Sequence, residues 1–466
     1  MYDVLTAPVL DLLSRYDRPG PRYTSYPTAV EFHEGVNEAV YRESLARADA
    51  AAHQPLSLYV HLPFCEARCS YCGCNVVITR HRDVGHRYLD FLDKEIDLLA
   101  ASLPSRRRVS QMHWGGGTPT YHSPNELTRV FGRLARHFTF TPDAEIGIEV
   151  DPRVTSGEQL ACLRELGFNR LSLGVQDFAP EVQEAVNRVQ SYEITREIVL
   201  TGRALGFTSV NIDLIYGLPY QTLAGFHRTL EQVLTLRPDR VAVYSFAFVP
   251  WIRAHMKHLP SEALPAAGLK LALLALTIDA FVGAGYCQIG MDHFALPDDE
   301  LARAIDTRSL HRNFMGYTVQ SARDMIALGV SGIGDVQGTF VQNTKKLSEY
   351  YAALDAGRFP IERGYSLDQD DVIRRHVITE LMCNVHLDMR DVERRFGISF
   401  PQYFAAELVE LTGLDSPATD GLVQVSGDTI EVTPGGRLFI RNVCMVFDRY
   451  LRARTAAAQP VFSRTV

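Results

Sequence analysis

The sequence predicts an α/β protein built on a partial (β/α)6 TIM-like barrel, with an N-terminal extension and a mainly helical C-terminal domain. From residue 56 onward, short β-branched and apolar runs alternate with longer helical patterns, which indicates parallel strands joined by helices. Polar residues follow the ends of several of these strands, as on the functional face of a β/α barrel. The chain has 466 residues, 46% of them hydrophobic, which is ample for a large core.

The predicted strands are residues 56–63, 109–115, 145–150, 170–175, 209–215 and 240–246. Helical patterns lie between them, the clearest at residues 86–102, 125–138 and 192–205. The polar residues at or just after the strand ends are Cys65, Gly116, Glu149, Gln176 and Asp213. A doubly wound sheet is the alternative, because it also binds ligands at the carboxyl ends of its strands.

Two regions flank the predicted barrel domain, which we place at residues 56–357. Residues 1–55 form an extension whose run RPGPRYTSYPTA is expected to lie extended on a surface and to cover the active site. Residues 358–466 form the C-terminal domain, with helical patterns at residues 368–383, 400–414 and 436–451 and a hairpin at residues 422–433.

Composition argues against several classes of protein. The net charge of -8 and the pI near 6.0 do not favour a general nucleic-acid binder. The N-terminus lacks the basic region of a signal peptide, and the most apolar stretch, residues 269–286, contains Lys270 and Asp279. Eight cysteines in a chain of this length do not indicate a disulfide framework. We therefore expect a cytoplasmic protein without a membrane or nucleic-acid partner and, in the absence of a coiled-coil pattern, a monomer.

The motif with the clearest chemical meaning is FCEARCSYCGC, in which Cys65, Cys69 and Cys72 follow the first strand with the spacing C-x-x-x-C-x-x-C. A fully ligated iron–sulfur cluster takes four cysteines, so three from one loop leave one iron open for chemistry. Zinc or a redox pair is the alternative, although zinc commonly needs a second C-x-x-C or a His pair, which the sequence lacks. We expect Cys74 not to be a ligand, because an extended loop would turn its side chain away.

Further motifs lie at neighbouring strand ends. HWGGGTPT, residues 113–120, places three glycines where backbone approaches a ligand closely and where carbonyls are free to bind an ammonium group. Glu149 and Asp151, in IEVDP, offer carboxylates to a bound amino acid or ribose. Gln176, Arg188 and Asp213 are polar residues near other strand ends. Each alone is more typical of a structural role, but together with the cysteines they define one rim.

The cysteine spacing resembles that of radical S-adenosylmethionine enzymes. Within that superfamily the chain resembles the oxygen-independent coproporphyrinogen III oxidase family over essentially its whole length. The motifs that carry the resemblance are PRYTSYPTA, YVHLPFC, CSYCGCN, HWGGGTPT, IEVDP, SLGVQDF, NIDLIYGLP, GMDHF, HRNFMGYT, IRR and RNVCMVFDRYL. The resemblance implies a barrel of the radical S-adenosylmethionine type. It also implies oxidative decarboxylation of two propionates of coproporphyrinogen III to vinyl groups by a 5′-deoxyadenosyl radical, giving protoporphyrinogen IX in anaerobic heme biosynthesis.

The resemblance further implies a [4Fe-4S] cluster and two molecules of S-adenosylmethionine. The expected cluster ligands are Cys65, Cys69 and Cys72. The expected contacts to the first S-adenosylmethionine are Tyr59, Gly116 and Glu149. Those to the second are Tyr71, Gly117, Thr118, Gln176, Arg188, Asp213, Ala247 and Ile333. The residues expected to act in catalysis are Tyr59, Glu149 and Arg22.

A substrate with four carboxylates requires local basic groups in an acidic protein. The candidates are Arg22, His311, Arg312, Arg374 and Arg375, although the adjacent helical pair Arg374 and Arg375 is more typical of a solvated face. An electron donor such as flavodoxin or ferredoxin is the expected protein partner. The alternatives are a related heme chaperone, a radical porphyrin methyltransferase and a non-enzymatic iron–sulfur or zinc scaffold; the RYTSYPTA segment and Cys74 argue against the chaperone.

Overall fold

The computed structural model describes residues 7–319, 324–454 and 461–465. Its centre is a set of parallel strands that pair in chain order: β1 (Leu56–Leu62), β2 (Arg108–Gly116), β3 (Thr139–Val150), β4 (Arg170–Gln176), β5 (Ser209–Tyr216) and β6 (Arg240–Ser245). A doubly wound sheet would reverse its strand order at a switch point, and these six strands do not. The predicted partial (β/α)6 barrel is confirmed, and all six carboxyl ends lie at one rim.

The sheet continues on both sides of the six strands. Beside β6, His293–Ala295 pairs antiparallel and Cys287–Ile289 follows. Beside β1, Met325–Leu328 runs parallel, followed by the antiparallel strands Ile333–Val336, Thr339–Asn343 and Ile361–Ser366. Among the described strands the sheet therefore stays open rather than closing into a full barrel. It also extends past residue 357, where we placed the end of the barrel domain, so that division of the chain stays a proposal.

Helices cover the outer face of the sheet. Before the barrel lie α1 (Ala7–Tyr16) and α2 (Glu38–Asp49), and along it lie α3 (Arg82–Ser102), α4 (Pro124–His137), α5 (Gly157–Glu165), α6 (Pro180–Ala185), α7 (Tyr192–Ala204), α8 (Leu223–Leu236) and α9 (Ala267–Gly283). Capping boxes at Ser123 and Ser156 fix where α4 and α5 begin, because each serine accepts a backbone N–H that the helix leaves unpaired. None of the helices described here is long and apolar enough to cross a membrane.

The C-terminal region is mainly helical. Two helices, α10 (Glu300–Asp306) and α11 (Leu347–Asp355), precede this region. The C-terminal helices are α12 (Gln369–Thr379) with a π-helical turn at Glu380–Asn384, α13 (Met389–Phe396), α14 (Phe400–Tyr403), α15 (Ala405–Thr412), α16 (Pro434–Leu438), α17 (Ile440–Met445) and α18 (Arg449–Ala453). Smaller strand pairs are Phe64–Cys65 with Val77–Ile78, His311–Asn313 with Gly316–Thr318, and His386–Asp388 with the hairpin Val423–Ser426 and Thr429–Val432. The prediction of a single helix over residues 436–451 was wrong. Asp448 accepts hydrogen bonds from the Tyr450 and Leu451 amides and starts a new helix.

The N-terminal extension is packed into the molecule. In α2, Leu45 and Ala48 are completely buried. Arg106, also buried, donates to the Ala48 carbonyl at 3.1 Å and pairs with Asp324 at 2.5 Å. Breaking such a buried pair costs about 3–5 kcal/mol, since one charge is left uncompensated. The extension therefore belongs to the core that supports the barrel, and its six N-terminal residues, 1–6, lie outside the described part of the chain.

A buried carboxyl connects α3 to the loop that precedes Ile333. Glu95 accepts hydrogen bonds from the Tyr350 hydroxyl at 2.6 Å, the Gly329 amide at 2.7 Å and the Asn343 side chain at 2.7 Å. Burial raises the pKa of Glu95 to about 7, although these hydrogen bonds oppose the shift. The network fixes the edge of the sheet beside β1.

The raised pKa of Glu95 predicts a pH-dependent stability. Because it lies above the unfolded value of 4.5, this carboxyl contributes stability that is complete below pH 4.5 and is lost as pH rises through about 7. The free energy of unfolding is measured by thermal or urea unfolding for the native chain and for Glu95→Gln. Between pH 4.5 and about 7, the native value relative to the variant should fall by up to about 1.4 kcal/mol per pH unit. Glu43→Gln, at an exposed position on α2, is the control. A native-to-variant gap that is constant with pH would contradict the prediction.

Candidate functional site

The cysteine loop is held against the glycine run of β2 by backbone hydrogen bonds. The Gly117 amide donates to the Leu62 carbonyl at 2.9 Å, and the Thr118 amide donates to the Phe64 carbonyl at 2.8 Å. A Cβ on Gly117 would lie 2.6 Å from the Pro63 carbonyl carbon, so only glycine permits this approach. Gly116 adopts a φ of 112°, which favours glycine for a second reason.

The three predicted cluster ligands lie in polar surroundings. Cys69 Sγ is 3.7 Å from a guanidinium nitrogen of Arg188 and 3.8 Å from one of Arg153. A hydrogen bond from the Cys74 thiol, opposed by burial, lowers the pKa of Cys72 to about 6. Burial raises the pKa of Cys65 to about 11, and its sulfur is 3.4 Å from the Thr118 hydroxyl. Metal binding deprotonates thiols, and cations nearby favour that form.

These residues fit an iron–sulfur cluster. All eight cysteines are free, and Cys65, Cys69 and Cys72 line one cavity. Within the described part of the chain, no three Cys, His, Asp or Glu side chains converge as ligands of a single metal ion. Three thiols of one loop that face a shared cavity are a ligand set that a polynuclear cluster takes, one cysteine to each of three irons.

Glu149, at the end of β3, is held in its ionised form. One oxygen accepts the Gly116 amide at 3.1 Å, and the other lies 3.5 Å from His113 Nε2. Burial alone would raise the pKa of Glu149, but the hydrogen bond from His113 and the backbone N–H lower it. An ionised carboxylate at this point accepts hydrogen bonds from a ligand.

Tyr59, on β1, packs against His113, the residue that contacts Glu149. Its ring stacks on His113 with ring centroids 6.3 Å apart. His61 Nε2 donates to the Asn75 carbonyl at 3.0 Å, so Nδ1 of this imidazole accepts from the Tyr59 hydroxyl at 3.1 Å. Burial lowers the pKa of His61, which agrees with a neutral ring.

A buried ion-pair network connects β3 with the segment before α7. Asp151 pairs with Arg153 at 2.7 Å and with Arg188 at 3.1 Å, and Arg188 also donates to the Gly174 carbonyl at 2.6 Å. Burial opposes ionisation of Asp151, but Arg188 and Arg153 lower its pKa. The network places both guanidinium groups beside the Cys69 sulfur.

Asp213, on β5, has a different environment. It accepts hydrogen bonds from Asn211 at 2.8 Å and from Ser172 at 3.3 Å, with no cation in direct contact among the described residues. Burial therefore raises the pKa of Asp213 to about 6.

One cavity of about 400 Å³ brings most of the predicted site together. The predicted residues that line it are Cys65, Cys69, Cys72, Tyr71, Gly116, Gly117, Thr118, Glu149, Gln176, Arg188 and Asp213, joined by Cys74 and Asp151. Those outside its lining are Tyr59, Ala247, Ile333 and Arg22. Sequence reasoning did not single out His113 or Arg153 as site residues. Arg153 had a signal, because it follows Asp151 by two positions at a strand end.

The basic residues predicted to bind substrate carboxylates differ in their partners within the protein. Arg374 pairs with Asp370 and Glu407 at 2.9 and 2.8 Å, and Arg375 pairs with Asp335. Arg22 donates to the Ser245 carbonyl at 2.6 Å, and its buried Nε has no partner among the described residues. Arg312 faces Asp292 at 3.6 Å, also with an unpartnered Nε, and His311 is exposed.

The chain is similar to known proteins both in sequence and in fold. Residues 59–233 match a family model described as the radical SAM superfamily, and residues 367–439 match one described as the HemN C-terminal domain. Over 457 residues the chain is 48% identical to the oxygen-independent coproporphyrinogen III oxidase of Salmonella typhimurium and 47% identical to that of Escherichia coli, with 98% of each chain covered. The solved Escherichia coli coproporphyrinogen III oxidase (HemN), described as a radical SAM enzyme, matches with a TM-score of 0.89 and 46% identity, covering 95% of this chain and 98% of that one.

The close backbone contact between the cysteine loop and Gly117 predicts that one added methyl group disrupts cluster binding. Gly117→Ala should displace the loop, because the added Cβ meets backbone atoms that have no room to move. After anaerobic reconstitution, the variant should lose most of the iron and sulfide that the native chain retains. Gly132→Ala is the matched control, since Gly132 lies in α4 with nothing within 4 Å of the added Cβ. Equal iron content in the native protein and both variants would show that the close contact at Gly117 is not needed to hold the cluster.

Proposed function

The chain belongs to the oxygen-independent coproporphyrinogen III oxidase family, and from that premise we propose which of its residues carry the reaction. It is a radical S-adenosylmethionine oxidoreductase of heme biosynthesis, with a [4Fe-4S] cluster and S-adenosylmethionine as cofactors. It decarboxylates two propionates of coproporphyrinogen III to vinyl groups, giving protoporphyrinogen IX. The observation that carries the residue assignments is the single cavity in which the cysteine loop faces Glu149, Arg188 and Asp213.

Cys65, Cys69 and Cys72 hold the cluster and leave one iron for S-adenosylmethionine. When bound, the cluster and S-adenosylmethionine supply the 5′-deoxyadenosyl radical that removes a β-hydrogen from a substrate propionate. The guanidinium groups of Arg153 and Arg188 beside Cys69 offset part of the negative charge of the thiolates. Their fixed positions support a site in which charge is balanced before the reaction begins.

The first S-adenosylmethionine is bound by Gly116 and Glu149, while Tyr59, which we expected to touch it, lies outside the cavity lining and supports Glu149 from behind. Glu149 is ionised and fixed by two donors, so its remaining lone pairs accept hydrogen bonds from the ligand. Tyr59 acts through the stacked His113, which orients the carboxylate. This arrangement supports a catalytic role for Glu149 in aligning the ligand, with Tyr59 behind it.

The second S-adenosylmethionine is bound on the neighbouring part of the same cavity. The proposed contacts are Tyr71, Gly117, Thr118, Gln176, Arg188, Asp213, Ala247 and Ile333. Gln176 has a φ of 71°, an unfavourable conformation for a residue other than glycine, and its amide lies against Gly174. Strain at a strand end beside a cavity supports a binding role for Gln176.

Arg22 and Arg312 are the proposed contacts for substrate carboxylates. Among the described residues the Nε of each has no hydrogen-bond partner, and Arg312 lies 3.6 Å from Asp292, whereas Arg374 and Arg375 form closer ion pairs with carboxylates of the C-terminal region and the sheet. The segment around Arg22 lies against the end of β6 through Ser245, which supports the idea that residues 22–28 cover the bound tetrapyrrole. Each charged hydrogen bond to a propionate is worth about 1.5–3 kcal/mol.

A reduced flavodoxin or ferredoxin is the proposed electron donor, and we propose a cytoplasmic monomer. None of the eight cysteines forms a disulfide, which supports a reducing compartment.

The reaction is tested by anaerobic incubation of the reconstituted protein with dithionite, S-adenosylmethionine and coproporphyrinogen III. With a one-electron acceptor also supplied, mass analysis should find protoporphyrinogen IX. For each propionate, one hydrogen atom passes to the 5′-deoxyadenosyl radical and gives 5′-deoxyadenosine, one carbon dioxide is lost and one electron passes to the acceptor. Cys72→Ser should abolish turnover, because the cluster loses a ligand. Transfer of a methyl group, or heme binding without decarboxylation, would instead support one of the related enzymes or chaperones.

The pKa of Asp213 predicts how binding of S-adenosylmethionine depends on pH. If the ionised carboxylate accepts ligand hydrogen bonds, kcat/KM for S-adenosylmethionine should fall by up to about tenfold per pH unit below about pH 6, as the group becomes protonated. Asp213→Asn should lower kcat/KM at pH 8 and remove this limb of the profile. A native profile that is flat through pH 6, or a variant that retains the limb, would exclude Asp213 from the contact.

A further inference from the structure

We propose that residues 249–258 form the docking surface for a small acidic protein that carries a low-potential one-electron cofactor. The proposal rests on the proposed function, because it concerns how an electron reaches the cluster. The step transfers one electron, oxidising the carrier and reducing the cluster by the same amount. We call residues 249–258 the basic segment.

The basic segment is attached to the cysteine loop. The Arg253 guanidinium donates to the Gly73 carbonyl, and His255 Nε2 donates to the carbonyl of Cys72 at 2.9 Å. Cys72 is one of the proposed cluster ligands. A protein that docks on this segment is therefore in contact with residues that bond directly to the loop around the cluster.

The outer face of the basic segment combines exposed apolar side chains with positive charge. Trp251 is 41% exposed and Ile252 is 57% exposed, while Lys257 and His258 are also exposed. Large exposed apolar residues beside cationic ones are typical of protein interfaces, where tryptophan supplies much of the binding energy. The proposed transfer of an electron from a protein carrier requires such a contact.

The charge of the segment selects an acidic partner. From Phe246 to Pro260 the sequence contains two cations, Arg253 and Lys257, and no Asp or Glu, although the whole chain has a net charge of -8. Arg68 is exposed on the cysteine loop itself and adds to this positive surface. Complementary charge steers association and raises its rate, and the effect is screened by salt.

The test compares the native holoenzyme with Lys257→Glu and Trp251→Ala, in turnover driven by reduced flavodoxin and in turnover driven by dithionite. Lys257→Glu should raise the KM for flavodoxin about fivefold at low salt, and this difference should shrink at about 0.3 M salt. Trp251→Ala should raise the same KM at both salt concentrations. Dithionite-driven turnover should be unchanged in both variants, because a small reductant needs no docking surface.

Arg228→Glu is the matched control, since it makes the same charge reversal at an exposed position on α8, away from the cysteine loop. It should leave the KM for flavodoxin unchanged. An unchanged KM in Lys257→Glu, or an equal rise in Arg228→Glu, would overturn the proposal. A rise in the KM for coproporphyrinogen III with dithionite would overturn it in favour of a substrate surface.

Failure of the proposed function is distinguishable from failure of docking. If the native holoenzyme gives no turnover with dithionite, the proposed reaction is wrong. Binding of oxidised flavodoxin to the reconstituted protein, measured by calorimetry, still tests the surface: Lys257→Glu should weaken it about fivefold. Equal affinity of the native protein and this variant would refute docking at the basic segment.

Discussion

The site depends on the close backbone contact between the cysteine loop and the glycine run at the end of β2. Two hydrogen bonds, from Gly117 to Leu62 and from Thr118 to Phe64, hold the loop over the ends of the parallel strands. This contact is closer than any side chain at Gly117 would allow. Because it fixes the loop from which Cys65 emerges, it also determines which polar groups of the other strands face the proposed cluster.

Charge in the cavity is arranged by ion pairs that belong to the protein itself. Asp151 holds Arg153 and Arg188 beside the Cys69 sulfur, while His113 and a backbone N–H keep Glu149 ionised. Among the described residues no cation contacts Asp213 directly, and its pKa rises on burial. Carboxylates on β3 and β5 thus differ in pKa because their partners differ, which allows one cavity to hold both a fixed anion and an acid that titrates near pH 6.

The flanking regions take part in the same structure. The extension contributes buried residues of α2 to the core, and the Tyr23 hydroxyl donates to Asp448 of the C-terminal region at 2.9 Å. Arg22 reaches the end of β6 from the extension. The extension therefore bonds both to the end of β6 and to the C-terminal region, so all three parts of the chain belong to one packed structure.

The sequence by itself determined the barrel strands and the motifs at their ends, because the alternation of apolar strands with amphipathic helices and the spacing of Cys65, Cys69 and Cys72 are local patterns. It did not determine which charges are free. Arg22, Arg312, Arg374 and Arg375 look alike in sequence, yet in the structure Arg374 and Arg375 form close ion pairs, Arg312 faces Asp292 at 3.6 Å and Arg22 donates to a backbone carbonyl. The place of Arg153 and His113 beside Cys69 and Glu149 was likewise decided by tertiary structure, whereas the helix break at Asp448 is a local cap that the sequence contained. Hydrogen bonds and ion pairs join residues far apart in the chain, and no local pattern specifies which of them meet.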